Sequence, residues 1–270
     1  MSDVFHIERP RGPRLPILLS CPHSGTEIPD AMARTMRPDV AAAVSDTDWF
    51  VHELYDFATE MGITLIRARL SRFVVDLNRD PSGQKLYADG RSETTHVPVR
   101  TFAGAPIYQQ GSEPDQTEIT RRMHLYFEPY HAQVAVLLEE LRREHAHVLF
   151  YDAHSIRRLV PSVRPTPFPD MILGDQRGRT AVPVLTETAL RALRRSGTYE
   201  VSHNDPFMGG YLTRRFGQPE RGISALQLEM AQDIYMDEDN DARDATKQAA
   251  VARILRDTLT DLAAAVGQLT

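Results

Sequence analysis

The sequence predicts an α/β fold, a largely parallel sheet with helices on both faces, formed as one domain over residues 1–270. Two observations lead there. Short apolar runs alternate along the chain with stretches of helical spacing, the pattern of a parallel sheet covered by helices. Several of those runs also stop abruptly at Pro, His, Asp or Glu, as strands do when their carboxyl ends open into loops. No internal repeat and no linker long enough to divide the chain interrupts the pattern.

Taken in order, Pro16 to Cys21 is a short apolar run broken by Pro22, which reads as a buried strand. Phe50, Leu54, Phe57 and Met61 recur at three- and four-residue steps, so Asp46 to Met61 is expected to be a helix, capped by Ser45 or Asp46. Ile63–Leu70 and Phe73–Leu77 read as two successive strands. From Pro81 to Glu113 the chain is rich in Gly, Pro, Ser and Thr, and loops of that length in compact domains are often functional. Helical spacing returns from Thr117 to His145, with a kink or boundary expected at Pro129, which has no N–H to give the helix ladder. His147–Asp152 is a further apolar strand. It is followed by a Pro-rich segment over 161–169, a short strand at Met171–Leu173, a helix at Val182–Arg195 and a strand at Ile223–Met230. Ala245–Val266 closes the chain as an amphipathic helix with Val251, Leu255, Leu259, Leu262 and Val266 on one face.

Composition narrows the function. Apolar residues make up 41% and charged residues 25% of the chain, ample for a globular core. The net charge of −6 comes with no basic stripe, which argues against nucleic acid as a partner. The N-terminus has no signal-peptide pattern, and no apolar run approaches the roughly 20 residues that span a bilayer, so the expectation is a soluble cytoplasmic protein without a membrane partner. Cys21 is the single cysteine, which excludes an intramolecular disulfide, and its apolar neighbours make it a core residue rather than a nucleophile. Oligomeric state is left open.

The chemistry concentrates at strand ends. Pro22-His23-Ser24-Gly25, Asp152-Ala153-His154-Ser155 and Gln227-Leu228-Glu229 lie at or after the ends of three expected strands, and Asp46-Thr47-Asp48 opens the first long helix. In sheets of this type ligands bind at the carboxyl ends of strands. Two histidines and a carboxylate are a common catalytic zinc set, and Asp152 is spaced to orient an imidazole. The chain has ten histidines, and a strand-end histidine taken alone is more often structural than a ligand. The run Ser71 to Arg79 carries Arg72, Asp76, Asn78 and Arg79 on or beside an expected strand, and Arg214 follows Gly209-Gly210. Guanidinium forks of this kind grip carboxylates, although a solvated salt bridge is the commoner use of any one arginine. A Gly-x-Ser-x-Gly elbow and Gly-rich phosphate loops are both absent, which removes support for a serine hydrolase or a nucleotide-binding protein.

These motifs together resemble the N-formylglutamate amidohydrolase (N-formylglutamate deformylase) family. The resemblance runs in order through Cys-Pro-His-Ser-Gly-Thr at 21–26, Asp-Thr-Asp-Trp at 46–49, Ser-Arg-Phe-Val-Val-Asp-Leu-Asn-Arg at 71–79 and Pro-Tyr-His at 129–131. It continues through Asp-Ala-His-Ser-Ile-Arg at 152–157, Gly-Gly-Tyr-Leu-Thr-Arg at 209–214 and Gln-Leu-Glu-Met-Ala-Gln at 227–232. It implies a zinc-carboxypeptidase-like (phosphorylase/hydrolase-like) fold, with a mixed, mostly parallel sheet flanked by helices. It also implies one divalent metal ion, zinc in the first place with cobalt or iron as alternatives, held by His23, His154 and a carboxylate of the 46–48 motif; the position of Asp48 relative to the helical pattern after it favours Asp48 over Asp46. Glu229 would be the general base and Arg79 a catalytic arginine. Arg72, Asn78, Arg157, Asn204 and Arg214 would bind the substrate, a small anionic N-acyl amino acid. Glu27, four residues after His23, is spaced like a ligand but is not required by the resemblance, and the segment 202–207 matches only loosely.

The activity so implied is hydrolysis of N-formyl-L-glutamate to formate and L-glutamate, the last step of a histidine-degradation route. The alternatives are a metal amidohydrolase for another N-formyl or N-acyl amino acid, and a catalytically silent small-acid binding protein. The second has no need of a glutamate in the position of Glu229.

Overall fold

A computed structural model describes residues 4–85 and 93–269. Part of the long loop expected over 81–113, residues 86–92, lies outside the described residues. Nine strands are described: β1 (Phe5–Glu8), β2 (Ile17–Cys21), β3 (Thr64–Ala68), β4 (Val148–Ile156), β5 (Met171–Gly174), β6 (Val201–His203), β7 (Ile223–Ala231), β8 (Met236–Asp237) and β9 (Ala242–Arg243). The first seven form one sheet in the order β1-β3-β2-β4-β7-β5-β6. The pairs β3/β2, β2/β4, β4/β7 and β5/β6 are parallel, whereas β1/β3 and β7/β5 are antiparallel. The fold is therefore α/β with a mixed, mostly parallel sheet.

The central strands β4 and β7 are buried along their whole length and paired from Val148↔Ile223 to Ile156↔Ala231. A strand covered on both faces must be apolar almost throughout, so the polar residues it does carry stand out. Alternation sorts the side chains. Tyr151, Ala153, Leu226, Leu228 and Met230 face one core, shared with α3 (Val51–Leu54), α4 (Ala58–Met61), α7 (Pro183–Arg194) and α9 (Ala245–Gly267). Phe150 and Ala225 face the other, shared with α6 (Glu128–Arg142) and α8 (Tyr211–Phe216). Asp152, His154, Gln227 and Glu229 continue this second face beyond the apolar layer, at the carboxyl edge of the sheet. The Asp244 side chain caps α9 by accepting from Thr246 N and Lys247 N.

Four expectations need correcting. The stretch 46–61 is not one helix. Residues 45–49 turn back so that Asp48 N donates to His23 O at 3.0 Å, and Phe50 takes a left-handed φ of 59°, leaving only the single turns α3 and α4. Residues 73–77 are buried but form no strand, because their carbonyls are taken by side chains rather than by a neighbouring strand. The helix expected over 117–145 is continuous from α5 (Gln116–Arg122) to α6, with a π-helical widening over Met123–Phe127 just before Pro129 instead of a break. The strand ending at Asp152 runs on to Ile156, so His154 lies in β4 and not after it. Two short helices not anticipated in the sequence, α1 (Asp30–Ala33) and α2 (Pro38–Ala43), lead towards the 45–49 turn. No helix among the described residues is long and apolar enough to cross a membrane.

Candidate active site

The loop after β2, the 45–49 turn and β4 bring His23, Asp48 and His154 together. One ligand atom from each lies within 4.8 Å of the others, and all three residues are buried. Asp48 Oδ2 is 3.2 Å from Nδ1 of His154 and 3.8 Å from Nδ1 of His23. Each imidazole presents its other nitrogen to a second carboxylate: Nε2 of His23 to Asp76 Oδ1 at 2.8 Å, and Nε2 of His154 to Asp152 Oδ2 at 2.9 Å. Asp46 is not part of this group. Its Oδ2 accepts from Phe102 N at 2.8 Å, fixing the loop that walls the cleft. Glu27 is paired with Arg69 at 2.8 Å and does not enter the group either.

The donors fit a divalent ion. Two Nδ1 atoms and one carboxylate oxygen face one another, and each outer nitrogen is backed by an acid, the arrangement that orients metal-binding imidazoles. Charge points the same way. Asp48, Asp76 and Asp152 are all buried beside the two imidazoles and outnumber the nearby guanidiniums of Arg72 and Arg79, a local acidic surplus towards which a dication is drawn.

Arg72 organises the acids. Its Nη2 is 2.6 Å from Asp76 Oδ2, its Nη1 is 3.8 Å from Asp48 Oδ1, and Phe102 lies over its guanidinium with the ring centre 4.6 Å away. Burial alone pushes Asp76 up, yet Arg72, Arg79 and His23 hold it well below the usual carboxylate range. Asp48 is likewise lowered against burial, by its hydrogen bond to His154 and the charges of His23, His154 and Arg72. The histidines diverge. Burial and then Arg72 keep His23 below its usual value, whereas Asp152 and Asp48 overcome burial and raise His154 well above it. Glu229, paired across β4/β7 with His154, is pushed up to about 8, first by burial, with Asp48 and Asp152 adding to the rise against the pull of His154 and Arg72. Gln227 Nε2 donates to Glu229 Oε2 at 3.1 Å and its Oε1 accepts from Gly210 N at 2.7 Å, so the base candidate is held by a side chain that is itself held.

His23, Asp48, Arg72, His154, Gln227 and Glu229 line an open cleft together with Asn78, Arg79, Ser155, Phe102, Val163 and Phe207. Asn78 Oδ1 accepts from Leu212 N at 2.8 Å and its Nδ2 is 3.2 Å from Nε2 of His154. A Cβ at Gly210 would stand 2.3 Å from Asn78 Nδ2, so α8 begins as close to Asn78 as it does only because residue 210 has no side chain. Arg79 reaches the cleft with its Nε donating to Thr94 O at 3.0 Å.

Three of the expected substrate residues are not among the side chains lining this cleft. Arg157 donates to Glu238 O at 2.9 Å and pairs with Asp241 at 2.6 Å, because β4 continues past His154 and aims it at the 238–241 turn. Asn204 is spent on Asp175 Oδ1 at 2.7 Å, just after β5, and on His203 Nε2 at 2.8 Å; from the 202–207 segment Phe207 reaches the cleft instead. Arg214 is half-buried on the last turn of α8, a helix of which only the N-cap Gly210 lines the cleft. Conversely, Asp76, Gln227 and Phe102 were given no role from the sequence. Asp76 and Gln227 had a signal, as polar residues inside apolar runs; Phe102, in a loop, had none.

The fold and this site define an α/β protein with a buried His–Asp–His cluster and a neighbouring glutamate at the carboxyl edge of its sheet. The chain belongs to the N-formylglutamate amidohydrolase family, whose sequence model matches residues 15–236. It is 38% identical over 225 residues to an N-formylglutamate deformylase of Pseudomonas putida, covering 83% of each chain. The corresponding protein of Pseudomonas aeruginosa is 38% identical over 238 residues, 88% of this chain and 87% of that one. Among solved structures, an N-formylglutamate amidohydrolase from Ralstonia eutropha JMP134 superposes with a TM-score of 0.80 at 29% identity, covering 97% of both chains.

Proposed function

We propose that the protein, taken over residues 1–270 as one unit, hydrolyses N-formyl-L-glutamate to formate and L-glutamate in a metal-dependent reaction that ends a histidine-degradation route. The observation that carries the chemistry is the buried His23–Asp48–His154 cluster with Glu229 beside it. The substrate follows from the deformylases that are 38% identical over most of the chain.

His23, Asp48 and His154 would hold one divalent ion, zinc first and cobalt or iron as alternatives, since these share N/O sites. When bound, such an ion supplies Lewis acidity towards the formyl oxygen and the attacking water. The protein's own residues do the rest. Glu229 takes a proton from the water as it attacks the formyl carbon and delivers it to the departing amine nitrogen. Burial suits Glu229 to this, because a carboxylate in an apolar setting is a stronger base than one in water. Asp76 and Asp152 fix the ring orientations of the two histidines. Arg79 and Asn78 receive the substrate carboxylates from the cleft wall, and Arg72 adds positive charge towards the developing oxyanion while keeping Asp76 and Asp48 ionised. Arg157, Asn204 and Arg214, which the resemblance assigns to substrate, lie outside the cleft and take no part in this scheme.

The test is formate release from N-formyl-L-glutamate by the purified protein before and after chelation, with bound metal measured in parallel. We expect release that chelation abolishes and zinc or cobalt restores. Bound metal without release would keep the hydrolase and move the substrate to another N-acyl amino acid. Neither metal nor release would overturn the proposal.

A further inference from the structure

The segment 72–79 supplies much of the cleft, yet it is not held by a β-ladder. Its backbone is pinned mainly from outside. Asp76 N donates to His96 O at 2.8 Å, Arg122 Nη1 donates to Val74 O at 3.3 Å, and Nε2 of His131 meets Leu77 O at 2.9 Å. A carbonyl only accepts, so His131 carries its proton on Nε2 and donates it. The next two residues are Asn78 and Arg79, both in the cleft wall.

Arg122 and His131 are nine residues apart on one continuous helix. In an unbroken α-helix, with about 3.6 residues per turn, such residues stand on opposite faces. The π-helical stretch Met123–Phe127 lies between them and widens the helix by about one residue, which turns His131 back through roughly 100° towards the side that Arg122 occupies. Both side chains therefore reach the same irregular segment. As a packing residue His131 is a poor choice. It is 2% exposed, its Nδ1 has no hydrogen-bond partner among the described residues, and it sits stacked between Phe127 at 4.0 Å and Phe216 at 5.9 Å, a slot that suits a phenyl ring. What histidine adds there is the donor to Leu77.

We propose that His131 is a positioning residue of the active site: through the Leu77 carbonyl it sets where Asn78 and Arg79 stand, and the π-helical turn exists to bring it there. The part concerning substrate rests on the reading above, in which Asn78 and Arg79 receive it.

Three proteins decide it: the wild type, His131→Phe, which keeps the stacking but not the donor, and His131→Gln, whose Nε2 can donate again. Each is measured for amide hydrogen exchange across 72–79 and for steady-state hydrolysis of N-formyl-L-glutamate. The Phe variant should fold, exchange faster at Asn78 and Arg79, and lose about ten- to a hundredfold in kcat/KM, mostly through KM. The Gln variant should recover most of both. Unchanged exchange in the Phe variant, or equal losses in both variants, would overturn the proposal. A wild type that does not hydrolyse the probe would sink the functional reading and not this one, since exchange alone then decides on His131.

Discussion

Glu229 illustrates how one residue's environment makes its chemistry. Its neighbours across β4/β7 are apolar or already engaged, so burial is the first cause of a pKa pushed up to about 8, and Gln227 fixes one of its oxygens at 3.1 Å. A general base contributes roughly a hundred- to ten-thousandfold to such a reaction. Glu229→Gln keeps the shape and the contact with Gln227 while removing the basic oxygen. Turnover should fall by about that factor, while zinc content, read by elemental analysis, stays as in the wild type because Glu229 is not among the three clustered donors. Turnover near the wild-type level would remove Glu229 from the mechanism. Asp76 works at the same scale in the opposite sense. It is kept ionised by Arg72, Arg79 and His23 against its burial, and that fixed charge holds His23 in orientation.

Between elements, the decisive contact is the start of α8 against the 72–79 segment. Leu212 N donates to Asn78 Oδ1, Gly210 N donates to Gln227 Oε1, and residue 210 meets Asn78 with no room for a Cβ. Gly210→Ala forces α8 and Asn78 apart by an appreciable part of an ångström. The expected result is a loss of about 1–3 kcal/mol in chemical denaturation, together with a KM increase larger than the change in kcat. A variant with wild-type stability and KM would show that the contact carries no function. This scale also explains what was legible in the sequence. The strands β2, β4 and β7 could be read because continuous apolar runs end in His23, His154 and Glu229, and a buried strand that carries polar residues must have partners for them. The edge strands β1 and β6 are three or four residues long and half-exposed, too short for a periodic signal. Residues 73–77 imitate a strand because Phe, Val, Val and Leu are buried there. Their backbone is held by Arg122, Tyr108 and His131, residues about 30 to 60 positions away that no local pattern connects to them. Arg157, Asn204 and Arg214 were chosen by motif. The directions of Arg157 and Arg214 depend on how far β4 continues and which way α8 points, and that of Asn204 on Asp175, 29 residues away; all are set by packing.

At the scale of the whole molecule, the buried His131 couples the site to global stability through pH. Its pKa is pushed down to about 3 in the folded protein, chiefly by burial; the Leu77 carbonyl opposes the shift, and the charge of Arg215 adds to it to a lesser extent. In the unfolded chain an ordinary histidine titrates near 6.5. Above pH ~6.5 the group is neutral in both states and contributes nothing to the pH dependence. Between ~6.5 and about 3 the unfolded chain binds a proton that the folded protein refuses, so stability falls as pH falls, by about 1.4 kcal/mol for each unit. From pH 7 to pH 5 the loss from this one group is about 2 kcal/mol, before the paired carboxylates begin to protonate. His131→Gln has no proton to gain. Its unfolding free energy, measured by urea titration at pH 7, 6 and 5, should therefore fall by about 2 kcal/mol less than that of the wild type over this range. Parallel declines in the two proteins would mean that His131 is already protonated or solvated in the native state, which is incompatible with its donating from Nε2 alone inside the aromatic stack of Phe127 and Phe216. The same variant keeps the donor to Leu77, so the pH effect on stability and the positioning of Asn78 and Arg79 separate in one protein: the first is removed and the second retained.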